Sequence, residues 1–323
     1  MQGSETHAQL SALEFFCGIG GFAAATAGTN VRVVAAFDQS RVALDVYRLN
    51  FPGHAAREKN LEQVTRAELL DAGADVWWLS PPCQPYSVRG RQRDLDDPRA
   101  RSLIHLLELF AALPAASLPY HLAVENVVGF ASSRARDLLT GLLGERGFQI
   151  RERLLCPTEL GVPSRRPRYY LTASRHGLLP QLAPSCQLQP LQLFLHPQIA
   201  AEPPPELLLS PQVLSNFGAG LRILEPAAPA AYTTCFTAGY GKSLMHAGSY
   251  LRCSAGVRRF APLEVAHLLG FPTTFRFPES LPQRKRWHLL GNSLSVTAVR
   301  EVLRDLPGLL SPECQSARVG GGA

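Results

Sequence analysis

The stretch Ser80-Pro81-Pro82-Cys83-Gln84-Pro85-Tyr86-Ser87 decides how the fold of this 323-residue chain is interpreted. It follows the apolar run 74–79, which has the length and composition of a buried strand. Neither proline can donate to a strand ladder, so the strand ends here and the Cys83 thiol comes just beyond its carboxyl end. Open α/β sheets place their chemistry at that end of their strands.

Cys83 has two interpretations. A free cysteine is commonly a small hydrophobic side chain packed beside a turn. Cations beside a thiol, however, favour the reactive thiolate, and a basic loop follows directly, with Arg89, Arg91, Arg93, Arg99 and Arg101. Other parts of the sequence are needed to distinguish a nucleophile from a packing residue.

A glycine turn near the start of the chain predicts a ligand site. The strand-like run 10–16 leads into Phe16-Cys17-Gly18-Ile19-Gly20-Gly21-Phe22 and then an alanine-rich helix, an order in which backbone N–H groups face a ligand. A second strand, 31–37, ends at Asp38, where a carboxylate can accept hydrogen bonds from ribose hydroxyls. The loose pattern Gly18-x-Gly20-x-x-Ala23 also fits a dinucleotide fingerprint, so these residues alone leave an NAD-dependent dehydrogenase open.

The order of the remaining elements predicts an α/β fold with a mostly parallel sheet and helices on both faces. Strand 121–124 ends at Glu125, which again puts a carboxylate at a strand's carboxyl end. Prolines are frequent and charges rare from about 180 to 229, which indicates a smaller irregular region. Helices are predicted at 41–50, 65–70, 102–113, 135–146, 262–269 and 296–306, and further strands at 149–156 and 168–173.

Composition limits the class of protein. The net charge of +6 suits an anionic partner, nucleic acid first. Seven cysteines, an odd number without a Cys-x-x-Cys pair, argue against a disulfide framework and a structural zinc site, so we expect no metal and a reducing compartment. We see no signal peptide or membrane span, and expect a cytoplasmic monomer, or a nuclear one if the source is eukaryotic.

Six motifs in order resemble those of the cytosine-5 methyltransferase family that uses S-adenosylmethionine. They are Phe-x-Gly-x-Gly-Gly, Asp38, Pro-Pro-Cys-Gln, Glu-Asn-Val, Arg-x-Arg and Gly-Asn-Ser, and they span residues 14 to about 303. The resemblance implies a Rossmann-like methyltransferase domain over 10–177 and 258–306. It also implies a small target-recognition region over 178–257, and we expect a disordered tail over 307–323.

The resemblance assigns roles to the catalytic residues. Cys83 would add to C6 of cytosine, which makes C5 nucleophilic. Glu125 would contact N3 and the exocyclic amine, and a proton at N3 offsets the charge that develops. Arg166 and Arg168 would hold the base O2 and steady the region around the thiol.

The same resemblance implies a pocket for S-adenosylmethionine. Many DNA-acting relatives have an acidic residue where this chain has Asn60, so that contact is a departure from the family pattern. The implied cofactor-binding residues are Phe16, Gly18, Ile19, Gly20, Asp38, Gln39, Asn60, Leu61, Ser80, Asn292 and Ser293.

One branch of the family matches best, through Cys235-Phe236-Thr237 within Cys-Phe-Thr-x-Gly-Tyr-Gly, and through Leu-Leu-Gly-Phe-Pro at 268–272. That branch methylates an anticodon-loop cytosine of tRNA, chiefly tRNA-Asp. We therefore predict that Cys235, Phe236 and Thr237 bind the substrate, with Cys235 positioning RNA rather than attacking it.

The basic loop 89–101 and the run Arg284-Lys285-Arg286 are candidates for RNA-backbone contact, although solvated charge runs look the same. Two alternatives to the tRNA enzyme remain. One is a DNA cytosine-5 methyltransferase, and the other is a catalytically inactive RNA-binding protein.

Overall fold

The computed structural model describes residues 9–87, 93–181 and 186–310. These residues form two compact units. The first takes the described residues within Met1–Leu155, Pro167–Ala183 and Val299–Ala323. The second takes those within Cys156–Arg166 and Pro184–Ala298.

The first unit is built on a seven-stranded sheet with the order β3-β2-β1-β4-β5-β7-β6. Strands β3, β2, β1, β4 and β5 run parallel, which confirms the predicted α/β class. The strands are β1 (Leu10–Phe15), β2 (Val31–Asp38), β3 (Ala56–Glu58), β4 (Val76–Leu79), β5 (His121–Val127), β6 (Gln149–Leu155) and β7 (Arg168–Ser174).

Strand β7 runs antiparallel to both β5 and β6, a reversal that the sequence did not predict. The connection from β6 to β7, residues 156–167, contains a 3₁₀ turn, Pro157–Leu160, and no α-helix. Without a crossover helix between them, successive strands of one sheet pair antiparallel.

Polar side chains cap the starts of three helices of the first unit. Ser40 accepts from the Ala43 N–H at the start of α2, and Thr65 and Glu68 form a capping box on α3. The amphipathic face predicted for α4 is buried as expected. These helices are α1 (Gly21–Thr26), α2 (Arg41–Asn50), α3 (Arg66–Ala72), α4 (Arg101–Ala112) and α5 (Arg134–Glu145).

The parallel strands bring the ends of three strands to one edge of the sheet. The Cys17 N–H donates to the Phe37 carbonyl, and the Ser80 N–H donates to the Phe15 carbonyl, so the chain leaves β1, β2 and β4 at the same level. Beneath this edge the rings of Phe22 and Trp78 stack at 5.1 Å. Packing of this kind fixes the strand ends on which a site can be built.

The second unit contains a three-stranded sheet with the order β10-β9-β8 and four helices. A buried bidentate ion pair of 2.7 and 2.8 Å joins Arg258 of β10 to Glu264 of α8. The elements are α6 (Pro197–Ala201), α7 (Pro211–Phe217), β8 (Ile223–Leu224), β9 (Tyr250–Cys253), β10 (Gly256–Arg259), α8 (Pro262–Leu268) and α9 (Gln283–Gly291), and α10 (Val296–Leu303) follows.

The division into compact units differs from the predicted domains, since 156–166 and 258–298 fall in the second unit. The Arg258–Glu264 pair explains part of this, and the Trp287 indole N–H also donates to the Phe260 carbonyl at 3.0 Å. The limits 178–257 for a target-recognition region stay a prediction.

The expectation of a disordered tail from 307 is wrong for its first four residues. Leu309 and Leu310 are buried, and Asn30 donates to the carbonyls of Gly308 and Leu309. Two leucines that cover the end of a sheet have a reason to be ordered, because they remove apolar surface from water. Residues 311–323 lie outside the described part of the chain.

Two searches of the described residues gave negative results. No helix there has both the length and the apolar composition needed to cross a membrane. No group of three or more His, Cys, Asp or Glu side chains there is arranged to hold a metal ion.

The start of β5 should make stability depend on pH. Burial, together with the charge of nearby His176, lowers the pKa of His121 to about 4. Between pH 6.5 and 4 the unfolded chain takes up a proton at this residue and the folded chain does not, so acid destabilises the fold, by up to about 3 kcal/mol. We expect His121→Gln to flatten this fall in chemical-denaturation curves across that pH range, whereas parallel curves for both proteins would contradict it.

Candidate active site

The glycine turn after β1 has one open and one packed side. Gly18 and Gly20 have φ of 52° and 89°, and Phe16 also lies in the left-handed region at 57°. A Cβ on Gly18 would meet no atom within 4 Å, whereas one on Gly20 would lie 2.4 Å from the Phe51 ring. The turn therefore rests on α2 at Gly20 and leaves room for a ligand at Gly18, as the sequence predicted.

Asp38 is fixed at the turn. Its Oδ2 accepts from the Gly18 N–H and its Oδ1 from the Ser40 N–H, both at 2.8 Å. Burial raises its pKa. The structure thus brings together the glycine turn and the carboxylate that were predicted to hold a ribose, and Gln39 follows exposed.

Four predicted cofactor residues of the first unit remain: Ile19, which is buried, and Asn60, Leu61 and Ser80. Asn60 caps the 3₁₀ turn Leu61–Gln63 by accepting from the Glu62 N–H at 3.0 Å, and Leu61 is buried. The Ser80 hydroxyl accepts from the Trp78 indole N–H at 2.7 Å. The surrounding protein therefore orients the side chains of Asn60 and Ser80.

A buried network under the turn was missed by sequence reasoning. Glu14, fully buried in β1, accepts from the Tyr47 hydroxyl at 2.8 Å, and that hydroxyl lies 3.1 Å from His54 Nδ1. Burial raises the pKa of Glu14 to about 8. The signal was present as a charged residue inside an apolar strand.

Cys83 lies partly exposed in the loop after β4, and its carbonyl accepts from the Tyr86 N–H at 3.1 Å. Arg99 interacts electrostatically with Cys83, and Asp97 holds the Arg99 guanidinium at 2.8 and 2.7 Å. A cation near the thiol is what the basic loop predicted. Arg89 and Arg91 lie outside the described residues.

Glu125 and Arg168, both predicted to act on the base, form an ion pair. Arg168 Nε lies 3.3 Å from Glu125 Oε1, and both side chains are largely buried. The pair exists because β7 runs antiparallel to β5, which places Arg168 opposite Val127 near the end of β5. A guanidinium at this place keeps the carboxylate oriented.

Arg166 belongs to the second unit, where it joins two loops. Its Nη1 donates to the Phe236 carbonyl at 3.1 Å and contacts Cys235 Sγ at 3.3 Å. Its Nη2 donates to the carbonyls of Gly291 and Ser293. These contacts fix the Arg166 guanidinium between the two loops, and its contact with the base stays a prediction.

The segment Cys235–Thr237 is fixed by its surroundings. Phe236 is 3% exposed, and its ring packs edge-on against Tyr240 and Phe260, so it supports the loop rather than presenting a ring to a substrate. The Thr237 N–H donates to the Ala247 carbonyl. Cys235 and Thr237 remain partly exposed, which leaves them able to meet a ligand.

The backbone of Gly291 packs directly against the backbone of this segment. A Cβ on Gly291 would lie 2.2 Å from the Ala238 nitrogen and from the Thr237 carbonyl carbon. Asn292 Nδ2 lies 3.3 Å from His288 Nε2, and Ser293 is buried. Contacts of Asn292 and Ser293 with a cofactor stay a prediction.

The basic run 284–286 is the first part of α9. Arg286 donates to the carbonyls of Pro278, Glu279 and Leu281, so its guanidinium holds the preceding turn. Arg284 and Lys285 are exposed. Of the three predicted RNA contacts, two are therefore in a position to meet a phosphate.

Comparison with known proteins places these features in one family. The family of C-5 cytosine-specific DNA methylases matches residues 10–203 and 232–307. A human protein named tRNA (cytosine(38)-C(5))-methyltransferase is 31% identical and aligns over 92% of this chain and 99% of its own length. A Dictyostelium discoideum protein named DNA (cytosine-5)-methyltransferase is 27% identical over 92% and 94%.

A solved structure agrees with these relatives. The crystal structure of the S. pombe Dnmt2 methyltransferase has a TM-score of 0.80 and 25% identity, and covers 91% of this chain and 97% of that one. The match to the family spans most of the sequence and includes the glycine turn, the Cys83 loop and the Glu125–Arg168 pair. The chain therefore belongs to the family of C-5 cytosine-specific DNA methylases.

Proposed function

We propose that the protein methylates C5 of an anticodon-loop cytosine in tRNA, chiefly tRNA-Asp, through a transient bond from Cys83 to C6 of the base. The observation that carries this proposal is the site at the carboxyl edge of the parallel strands. There Cys83 follows β4 and Glu125, paired with Arg168, lies on β5. The name of the human relative supports tRNA as the substrate.

Members of this family use S-adenosylmethionine, and the glycine turn fits it. The open side of Gly18 leaves room for a ligand, and Asp38 stands fixed beside it to accept from ribose hydroxyls. Asn60 and Ser80 add polar groups whose orientation is set by their neighbours. When bound, S-adenosylmethionine supplies an electrophilic methyl group on a sulfonium.

The chain's own residues make cytosine reactive. The Cys83 thiolate forms a bond to C6, and the electron pair of the C5–C6 double bond becomes available at C5 for attack on the methyl group. Methyl transfer leaves a neutral thioether, and the ring is restored when the C5 proton passes to a base and Cys83 departs as a thiolate. Glu125 accepts from the exocyclic amine and shares a proton at N3 while negative charge develops, and Arg168 holds the carboxylate in place.

A base must leave its stack to reach a thiol within a folded site. The anticodon loop already presents unpaired bases, so this step costs less than it does in a duplex. Within the second unit, the partly exposed Cys235 and Thr237 are the groups we assign to substrate contact, and Arg284 and Lys285 are those we assign to phosphates.

Experiments can distinguish this function from two alternatives. The Dictyostelium relative's name keeps duplex DNA as an alternative substrate. A protein that binds tRNA tightly but transfers no methyl group would be an inactive RNA-binding protein.

The nucleophile and the substrate can be tested together. We expect wild-type protein to transfer labelled methyl groups to one cytosine of a tRNA-Asp transcript and far less to duplex DNA. Cys83→Ala should lose at least about 10³-fold in rate, because the bond to C6 cannot form. The matched control is Cys253→Ala, which removes a partly exposed thiol at the end of β9 and should retain activity. Labelling of DNA but not tRNA would refute the substrate, and an active Cys83→Ala would refute the nucleophile.

The rigid Cys235–Ala238 loop generates a second prediction. Gly291→Ala should push this loop away, because the new Cβ would lie 2.2 Å from backbone atoms, and we expect KM for tRNA to rise by about tenfold or more. Gly141→Ala in α5 has free space around its Cβ and should leave KM unchanged. Steady-state kinetics with varied tRNA measure both, and equal KM values for the two variants would contradict a role of the loop in tRNA binding.

A further inference from the structure

The ladder between β4 and β5 stops just before the nucleophile loop, defined here as residues 80–87. The last paired residues are Leu79 and Val124. Two positions further along each strand come Pro81 and Asn126. Pro81 and Pro82 have no N–H to donate, so backbone pairing alone does not hold the loop to β5.

Beyond the end of the ladder, the Asn126 side chain holds the loop to β5. Its Nδ2 donates to the Pro81 carbonyl at 3.0 Å. Its Oδ1 accepts from the Val127 N–H at 2.9 Å, which identifies the end of the amide that faces Pro81. The side chain is 1% exposed, so water does not compete for this bond.

The far end of the loop is held by close packing. A Cβ on Gly129 would lie 2.2 Å from the Tyr86 carbonyl oxygen, so only glycine lets the two backbones approach this closely. The Tyr86 ring is buried and packs edge-on against Phe130 at 4.8 Å. The loop is therefore fixed at residues 81 and 86, on either side of Cys83, and both contacts come from the segment that starts with Glu125.

We propose that Asn126 is a positioning residue that sets the place of the Cys83 sulfur relative to Glu125, with Gly129 as its counterpart at the other end of the loop. The proposal rests on the proposed function, in which the sulfur attacks C6 while Glu125 holds the same ring. Glu125 and Asn126 are neighbours on β5, so one rigid strand carries both the base-binding carboxylate and the hydrogen bond that fixes the nucleophile. A displacement of about 1 Å in such a site can cost about 10²-fold in rate.

The test uses two substitutions that remove the donor in different ways. Asn126→Leu keeps the approximate size of the side chain but has no hydrogen-bond donor. Asn126→Asp keeps the shape but presents an acceptor to the Pro81 carbonyl. We expect both to lower kcat by about 10²-fold with KM for S-adenosylmethionine and tRNA nearly unchanged. The matched control is Asn30→Leu, which removes an amide-to-carbonyl bond of the same 3.0 Å length to Gly308. It should leave kcat unchanged.

A second readout isolates the sulfur addition from methyl transfer. Addition of Cys83 to C6 lets C5 take up a solvent proton, and elimination then releases the original C5 hydrogen, so tritium at C5 of the target cytosine is lost without any methyl donor. We expect the Asn126 variants to slow this release in proportion to kcat while they still bind S-adenosylmethionine in calorimetry. A purely structural role would instead lower melting temperature and cofactor binding together.

The outcomes separate the two proposals. If wild-type protein neither methylates tRNA nor releases tritium from it, the proposed function fails. If wild-type protein is active and the Asn126 variants keep its kcat and its tritium release, the positioning role is overturned. Should the Asn126 variants not fold, Gly129→Ala decides, because its methyl group pushes only on the Tyr86 end of the loop. A Gly129→Ala enzyme with normal kcat would overturn the proposal, and a selective loss of kcat would support it.

Discussion

Two consecutive prolines at the end of β4 impose the constraint on which the site depends. They make the chain leave the sheet, and they have no N–H of their own with which to continue the ladder. The loop that carries Cys83 must then be held by something other than the ladder. In this protein a buried amide on β5 and a glycine after it do so, which ties the sulfur to the strand that also carries Glu125.

Arginine side chains make three different kinds of contact in the two units. Arg99 is held by Asp97 and interacts with Cys83, and Arg168 holds Glu125. Arg166 binds carbonyls from two different loops. A planar guanidinium can hold several acceptors at once in a fixed geometry, which a single ammonium group cannot do. The chain's preference for arginine therefore has structural consequences at each of these positions.

Much of the site could be predicted because strand ends are visible in the sequence. Apolar runs followed by a glycine turn, an aspartate, two prolines or a glutamate fix where β1, β2, β4 and β5 stop, and a parallel sheet brings those ends together. The direction of β7 could not be predicted, since it depends on the connection after β6 rather than on the residues of β7. The ion pair between Glu125 and Arg168 follows from that direction.

Other features could not be predicted from the residue types in the sequence. The run of three cations in α9 fits an RNA contact and a solvated surface equally well, and only the fold shows that Arg286 donates to three carbonyls. Phe236 lies in a short motif that predicts a substrate contact, and only the fold shows that its ring is buried. Asn126 lies in the Glu-Asn-Val motif, but no spacing rule indicates which carbonyl its amide contacts in the folded chain.

The central claim is that the sulfur of Cys83 bonds to the target base. It is tested most directly with tRNA-Asp that carries 5-fluorocytosine, incubated with S-adenosylmethionine and the wild-type protein. Fluorine at C5 cannot leave as a proton does, so the enzyme should stay attached after methyl transfer. Mass spectrometry of the digested adduct should then find the methylated fluoropyrimidine on the peptide that contains Cys83. Attachment to Cys235, or no adduct while methylation of ordinary tRNA proceeds, would contradict the account.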